Sequence, residues 1–137
     1  MTKMVFVNLP VADLAVSIRF YEALGFVRNE QFSNEEAAVM NWSDAISVNL
    51  MTHGAFAGYT PRPVADARQA TEVLIALSRD SRAEVDAMAE AAARSGGAAD
   101  VREPQDLGFM YVRAIEDPDG HMLEPAWMDM AAIAAAS

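Results

Sequence analysis

Twice along this chain a short β-rich run is followed by a capped amphipathic helix and then by paired extended segments. That repetition constrains the fold more than any single residue. A helix with one apolar stripe and a sheet with one apolar face must bury those surfaces against each other. The first copy opens with "MVFVNL" at residues 4–9, a strand by its β-rich composition. Asp13 is placed to cap the helix "LAVSIRFYEALG", where Leu14, Ile18 and Tyr21 recur at helical spacing and Phe20 and Leu24 widen the stripe. Gly25 supplies the stop. "AAVMNW" and "AISVNLMT" then read as a hairpin with a two-residue connection at Ser43-Asp44.

The second copy begins with "TEVLIALS" and continues into "SRAEVDAMAEAAARSGG". Ser81 and Glu84 form a capping box, and Val85, Met88, Ala89 and Ala92 make the apolar stripe. Gly96-Gly97 end that helix, and a loop containing Pro104 and Gly108 follows. "FMYVRAIE" and "HMLEPAWM" flank Asp117-Pro118-Asp119-Gly120, whose proline and glycine suit a type I turn. Between the copies, residues 53–70 carry two glycines and two prolines without a clear period, and read as a functional loop and linker. The alanine-rich end, Ala131 to Ser137, reads as a fraying tail. Identity between the copies is slight, so the duplication lies in the pattern. With 137 residues the expectation is a single domain, with module one at about 1–55, a linker at about 56–70 and module two at about 71–130.

Composition removes several function classes. A net charge of −10 disfavours sequence-independent nucleic-acid binding and docking on anionic lipid, both of which need Lys and Arg. With no cysteine, thiolate catalysis, disulfides and Cys-ligated zinc are out. There is no Gly-rich phosphate loop and no G-x-S-x-G. No apolar run approaches a membrane span and the first residues lack a signal-peptide pattern, so a cytoplasmic protein without nucleic-acid or membrane partners is expected.

Strand alternation sorts the residues onto two faces. Counting from a two-residue turn pairs Glu116 with His121 and places Arg113 opposite Glu124. One face then carries Phe6, Asn8, Met40, Ser47, Asn49, Met51, Glu72, Leu74, Tyr111, Arg113, Met122 and Glu124. The other carries Val5, Val7, Leu9, Val39, Ile46, Val48, Leu50, Val73, Ile75, Leu77, Val112, Ala114 and Leu123. The second set is uniformly apolar, as a core should be. The first is an apolar wall with a few polar groups, the make-up of a small-molecule site. Arg113 and Glu124 are expected as a cross-strand ion pair. Glu124 as general base, with Tyr111, is the catalytic candidate. Trp127 falls on the helix side, as core or subunit contact.

The stretches "FVNLPVADLAVSIRFYEALGF", "AISVNLMT", the helix ending in Gly-Gly and "EDPDGHMLE" resemble the vicinal oxygen chelate superfamily. That family includes glyoxalase I, extradiol dioxygenases, and the bleomycin- and fosfomycin-resistance proteins. The resemblance covers nearly the whole chain. It implies an α+β fold of two βαβββ modules forming an incomplete barrel around a cleft, helices packed outside, and a homodimer. In metal-dependent members, ligands come from four inward-facing strand positions. Carried onto this sequence these fall at Phe6, Asn49, Leu74 and Glu124, and a two-residue shift brings Asn8, Glu72 or Ala76, still without a histidine. Divalent transition metals take several His or carboxylate ligands together, and the only histidines are His53 and His121. The expectation is therefore no metal and no cofactor, and a protein that binds a small, partly apolar or aromatic molecule in the cleft. The alternatives are a divalent-metal-dependent lyase, isomerase or dioxygenase of the glyoxalase type, and an assembly module without a ligand.

Overall fold

The computed structural model describes residues 1–136. The chain divides into two compact units, Met1–Ala70 and Thr71–Ser137.

In the first unit β1 (Val5–Val11) leads into α1 (Leu14–Ala23), followed by β2 (Val27–Asn29), β3 (Ala37–Asn41) and β4 (Ile46–Thr52). The sheet order is β1-β4-β3-β2, with β1 parallel to β4 and the remaining pairs antiparallel. This is one βαβββ unit. Asp13 caps α1 as expected, its carboxylate accepting from the Val16 amide at 3.2 Å. Gly25, at φ +105°, ends the helix. Its N–H donates to Glu22 O and the Phe26 N–H reaches back to Tyr21 O, each at 3.0 Å, which satisfies carbonyls that the helix leaves open. The Phe26 ring then packs edge-on against Tyr21 at 5.1 Å. Ser17, Phe20, Tyr21 and Leu24 are buried, as are Leu9, Ala38, Met40, Val48 and Leu50 on the strands. The linker is not wholly irregular. Thr52 caps a short helix, α2 (His53–Ala57), by accepting from the Ala55 amide.

The second unit repeats the plan. β5 (Leu74–Ser78) leads into α3 (Arg82–Arg94). Then come β6 (Ala98–Ala99), β7 (Gln105–Asp106), β8 (Met110–Val112), β9 (Ile115–Glu116) and β10 (Met122–Met128). β10 pairs in parallel with β5 on one edge and antiparallel with β9 and β8 on the other; β6 and β7 extend beyond those. The rows β5, β10, β8 with β9, and β7 with β6 thus correspond to β1, β4, β3 and β2. The third row is split because β10 carries Pro125, which has no N–H to give the ladder. Arg113 N–H still donates to Pro125 O at 3.2 Å. Ser81 caps α3, accepting from the Glu84 amide at 3.1 Å. The Glu84 carboxylate closes the box one residue early, on the Asp80 N–H at 2.8 Å. Gly96, at φ +95°, and the Gly97 N–H to Ala92 O bond repeat the helix ending of the first unit. The alanine-rich end forms α4 (Met130–Ala136), capped by Asp129.

The architecture is therefore mixed α+β, built from two βαβββ units. Among the described residues no helix is long and apolar enough to cross a membrane.

Both hairpins depart from expectation by one residue. Trp42 N–H donates to Ile46 O, so the first loop has three residues, held by Ser43 Oγ accepting from the Ala45 and Ile46 amides. In the second, Asp117 N–H donates to His121 O and Gly120 sits at φ +94°: a type I turn followed by a left-handed residue, again three residues long. One extra loop residue turns one strand over relative to its partner. Met40 therefore lies opposite Val48, on the helix face, and Val39 opposite Asn49, on the other. Likewise Ile115, not Ala114, lies opposite Leu123. Arg113 faces Pro125 instead of Glu124. Tyr111 and Arg113 move to the α3 side, and Val112 and Ala114 to the opposite face. Glu72 and Val73 precede β5 and are exposed, so neither takes the strand position expected of it.

At Gly25 an added Cβ would meet only Trp42 at 3.9 Å, so space is available and backbone conformation alone is at stake. Gly25→Ala is expected to lower the unfolding free energy by about 1–2 kcal/mol, the cost of a left-handed L-residue. Urea denaturation monitored by far-UV circular dichroism measures it.

Candidate functional site

The helices cover one face of each sheet, and the candidate site residues divide between the opposite faces. On the first sheet, β1 presents Phe6 and Asn8, β4 presents Ser47, Asn49 and Met51, and β3 presents Val39 and Asn41. No charged side chain is among them. Asn49 Nδ2 donates to Asn8 Oδ1 across the strands at 2.8 Å, and Ser47 Oγ donates to Asn41 Oδ1 at 2.8 Å. Asn49 Oδ1 is buried and has no donor. A buried acceptor without a partner costs about 1–3 kcal/mol, so this oxygen favours an incoming N–H or O–H. Phe6, 52% exposed, supplies apolar surface at the same face.

On the second sheet, Met122 and Glu124 project from β10, opposite Leu74 and Ala76 of β5. The charge partner of Glu124 is Arg102, from the loop between β6 and β7, at 2.6 Å. The expected partner, Arg113, is engaged elsewhere. Its Nε and Nη2 donate to Asp100 at 3.0 and 2.7 Å and its Nη1 donates to Asp86 of α3 at 2.9 Å. Tyr111 Oη also donates to Asp86, at 2.7 Å. Glu124 and Tyr111 therefore sit on opposite faces and do not assemble into one acid–base pair.

Electrostatics follow these contacts. The hydrogen bond from Tyr111 to Asp86 pushes the Tyr111 phenol above its usual range. The Arg113 guanidinium pulls the Asp100 carboxyl below its usual range, and Asp100 in turn raises Arg113. Arg82 brings Asp106 down to about 2, aided by the Gly108 amide. Arg82 also lies over the rings of Tyr111 and Trp127, at 5.2 and 5.1 Å, which keeps Trp127 on the helix side as expected.

The donor set does not suit a divalent metal. Phe6 and Leu74 have no donor atom, Asn49 offers one amide oxygen, and Glu124 is already neutralised by Arg102. His53 opens α2 and is exposed, and His121 closes the turn before β10. Among the described residues no group of three or more His, Asp or Glu could hold an ion.

The sequence model of the Glyoxalase/Bleomycin resistance protein/Dioxygenase superfamily matches residues 3–124. The chain belongs to this superfamily. Solved structures agree at the level of the fold. A hypothetical protein from S. aureus is 28% identical with a TM-score of 0.78, covering 93% of this chain and 95% of that one. A glyoxalase/bleomycin resistance protein/dioxygenase family enzyme from Burkholderia phytofirmans is 16% identical with a TM-score of 0.75, covering 93% and 99%. The fosfomycin resistance protein FosX from Mesorhizobium loti is 18% identical with a TM-score of 0.68, covering 98% of each chain. No curated protein matches.

Arg102 was not legible as a site residue, because it lies in an aperiodic loop and its role depends on a strand more than twenty positions away. Val39 lies opposite Asn49, on the face a two-residue loop does not predict for it, because the loop has one residue more.

The depressed carboxyls give a pH signature. A group whose acidity is increased on folding stabilises the fold above its ordinary range, and that contribution disappears as pH falls through the folded value. Between about pH 5 and about pH 2, the wild type is expected to lose stability in part through Asp100 and Asp106. Arg82→Ala is expected to flatten that portion of the curve, measured by thermal denaturation across a pH series.

Proposed function

We propose that this protein is a metal-independent member of the superfamily that binds a small, partly apolar or aromatic molecule. Its binding surface would be the sheet faces that the helices leave uncovered. The observation that carries this reading is the Arg102–Glu124 ion pair. The one carboxylate at a family metal position already has a cation of its own, supplied by the chain. On the first sheet, the half-exposed apolar surface of Phe6 and the unsatisfied Asn49 oxygen support a ligand with a flat or apolar body and a hydrogen-bond donor; on the second, Leu74 is likewise half exposed. A cytoplasmic homodimer belongs to the same reading.

Two measurements test it together. Protein purified without chelator is expected to contain no stoichiometric zinc, nickel, manganese or iron, and EDTA is expected to leave its melting temperature unchanged. In a thermal-shift panel, aromatic and apolar compounds are expected to raise the melting temperature, since a ligand that binds the folded state stabilises it by mass action. Asn49→Ala is expected to reduce those shifts, and Tyr111→Phe to leave them intact while lowering stability by about 1 kcal/mol through its lost hydrogen bond. Stoichiometric metal, or a panel in which every aromatic and apolar class is inert, would overturn the proposal.

A further inference from the structure

We infer that Arg102, braced by Glu124, is an anion anchor that takes the single carboxylate of a small apolar or aromatic ligand. This deepens the binding reading above and rests on it. The inference starts from how the arginines of the second unit use their planar forks. Arg113 fills its fork with two carboxylates, Asp100 and Asp86. Arg82 spends both terminal nitrogens on Asp106, one of them also on Gly108 O, and is stacked on two rings. Arg102 has one ion pair, through Nη1, to Glu124, and 40% of its side chain remains exposed. An arginine fork suits two planar carboxylates, as Arg113 demonstrates in the same unit.

Its position is fixed from both sides. Asp100 adopts a left-handed conformation at φ +53° and bonds Arg113 on the helix face. Val101 N–H donates to Ala114 O at 3.2 Å. Two residues after Asp100, Arg102 reaches Glu124 on the opposite face. The segment therefore straddles the strand edge like a clip, and Glu124, at 15% exposure, holds the guanidinium in place before any ligand arrives. The strand positions beside Glu124 on that face are Leu74, Ala76 and Met122, all apolar, which suits the body of the ligand. Glu116, opposite Met122 on the same face, opposes a second negative charge and limits the ligand to a monoanion.

The test compares three probes on the same phenyl ring, the near-isosteric pair benzoate and benzamide and the cation benzylamine, titrated into the full chain by NMR. Benzoate is expected to bind roughly tenfold tighter than benzamide, consistent with a charge-assisted bond. Arg102→Gln is expected to erase that preference and leave benzamide affinity unchanged, and Arg102→Lys to keep part of it. Because Arg102→Gln strands the Glu124 charge, the double variant Arg102→Gln/Glu124→Gln serves as the folded control and is expected to behave like the single variant. Equal affinity for benzoate and benzamide in the wild type overturns the anchor. So does a preference that survives Arg102→Gln, or a preference for benzylamine, which would make Glu124 the reader and Arg102 a displaceable latch. If none of the three probes shifts resonances of the second unit, the anchor fails whatever the wider thermal-shift panel shows. Charge-blind binding sinks the anchor alone and leaves the binding reading standing.

Discussion

The second unit turns on Asp117. Its side chain is buried and accepts the amides of Asp119 and His121, each at 2.9 Å. Those two bonds hold the turn at three residues and set β9 against β10. Because a strand shows alternate residues to alternate faces, this one carboxylate decides what α3 packs on and what stays uncovered. It sends Tyr111 and Arg113 toward Asp86, and it leaves Glu124 to find another cation. Ser43 plays the corresponding part in the first unit, with a hydroxyl in place of the carboxylate.

Arg113 and Arg102 then divide the labour on the two sides of one sheet. Arg113 ties α3 and the loop after β6 to the strand, an arrangement that costs little because all its polar atoms are matched. Arg102 does the reverse: it brings a charge to the uncovered face and leaves part of its fork unspent. On that face Arg102, a cation of the chain's own, stands beside the Glu124 carboxylate.

Much of the fold is readable in the sequence. Helix caps at Asp13 and Ser81 and stops at Gly25 and Gly96 are local chemistry, and local chemistry is written in adjacent residues. The two βαβββ units followed from the order of those signals. The facing of β4 was also legible, since Ile46, Val48 and Leu50 alternate with Ser47 and Asn49 along it. What failed was pairing. Whether a turn has two residues or three depends on a side chain such as Ser43 or Asp117 capturing amides. That difference of one residue reversed Met40 with Val39, and Arg113 with Ala114. Loop contributions such as Arg102 have no period to betray them, and the short helix α2 was hidden by the glycine and proline around it.

The two units share a plan but are held by different forces. The five ion pairs described here, from Arg79–Glu84 to Arg113–Asp100, all join residues of the second unit. The uncovered face of the first is knit by uncharged amides and a hydroxyl. Salt largely screens exposed charges farther apart than the Debye length, about 8 Å at physiological ionic strength, and screens partly buried pairs in contact much less. The Arg102–Glu124 contact, at 2.6 Å with Glu124 only 15% exposed, therefore keeps much of its attraction at physiological ionic strength, and the guanidinium stays seated in the presence of competing counterions.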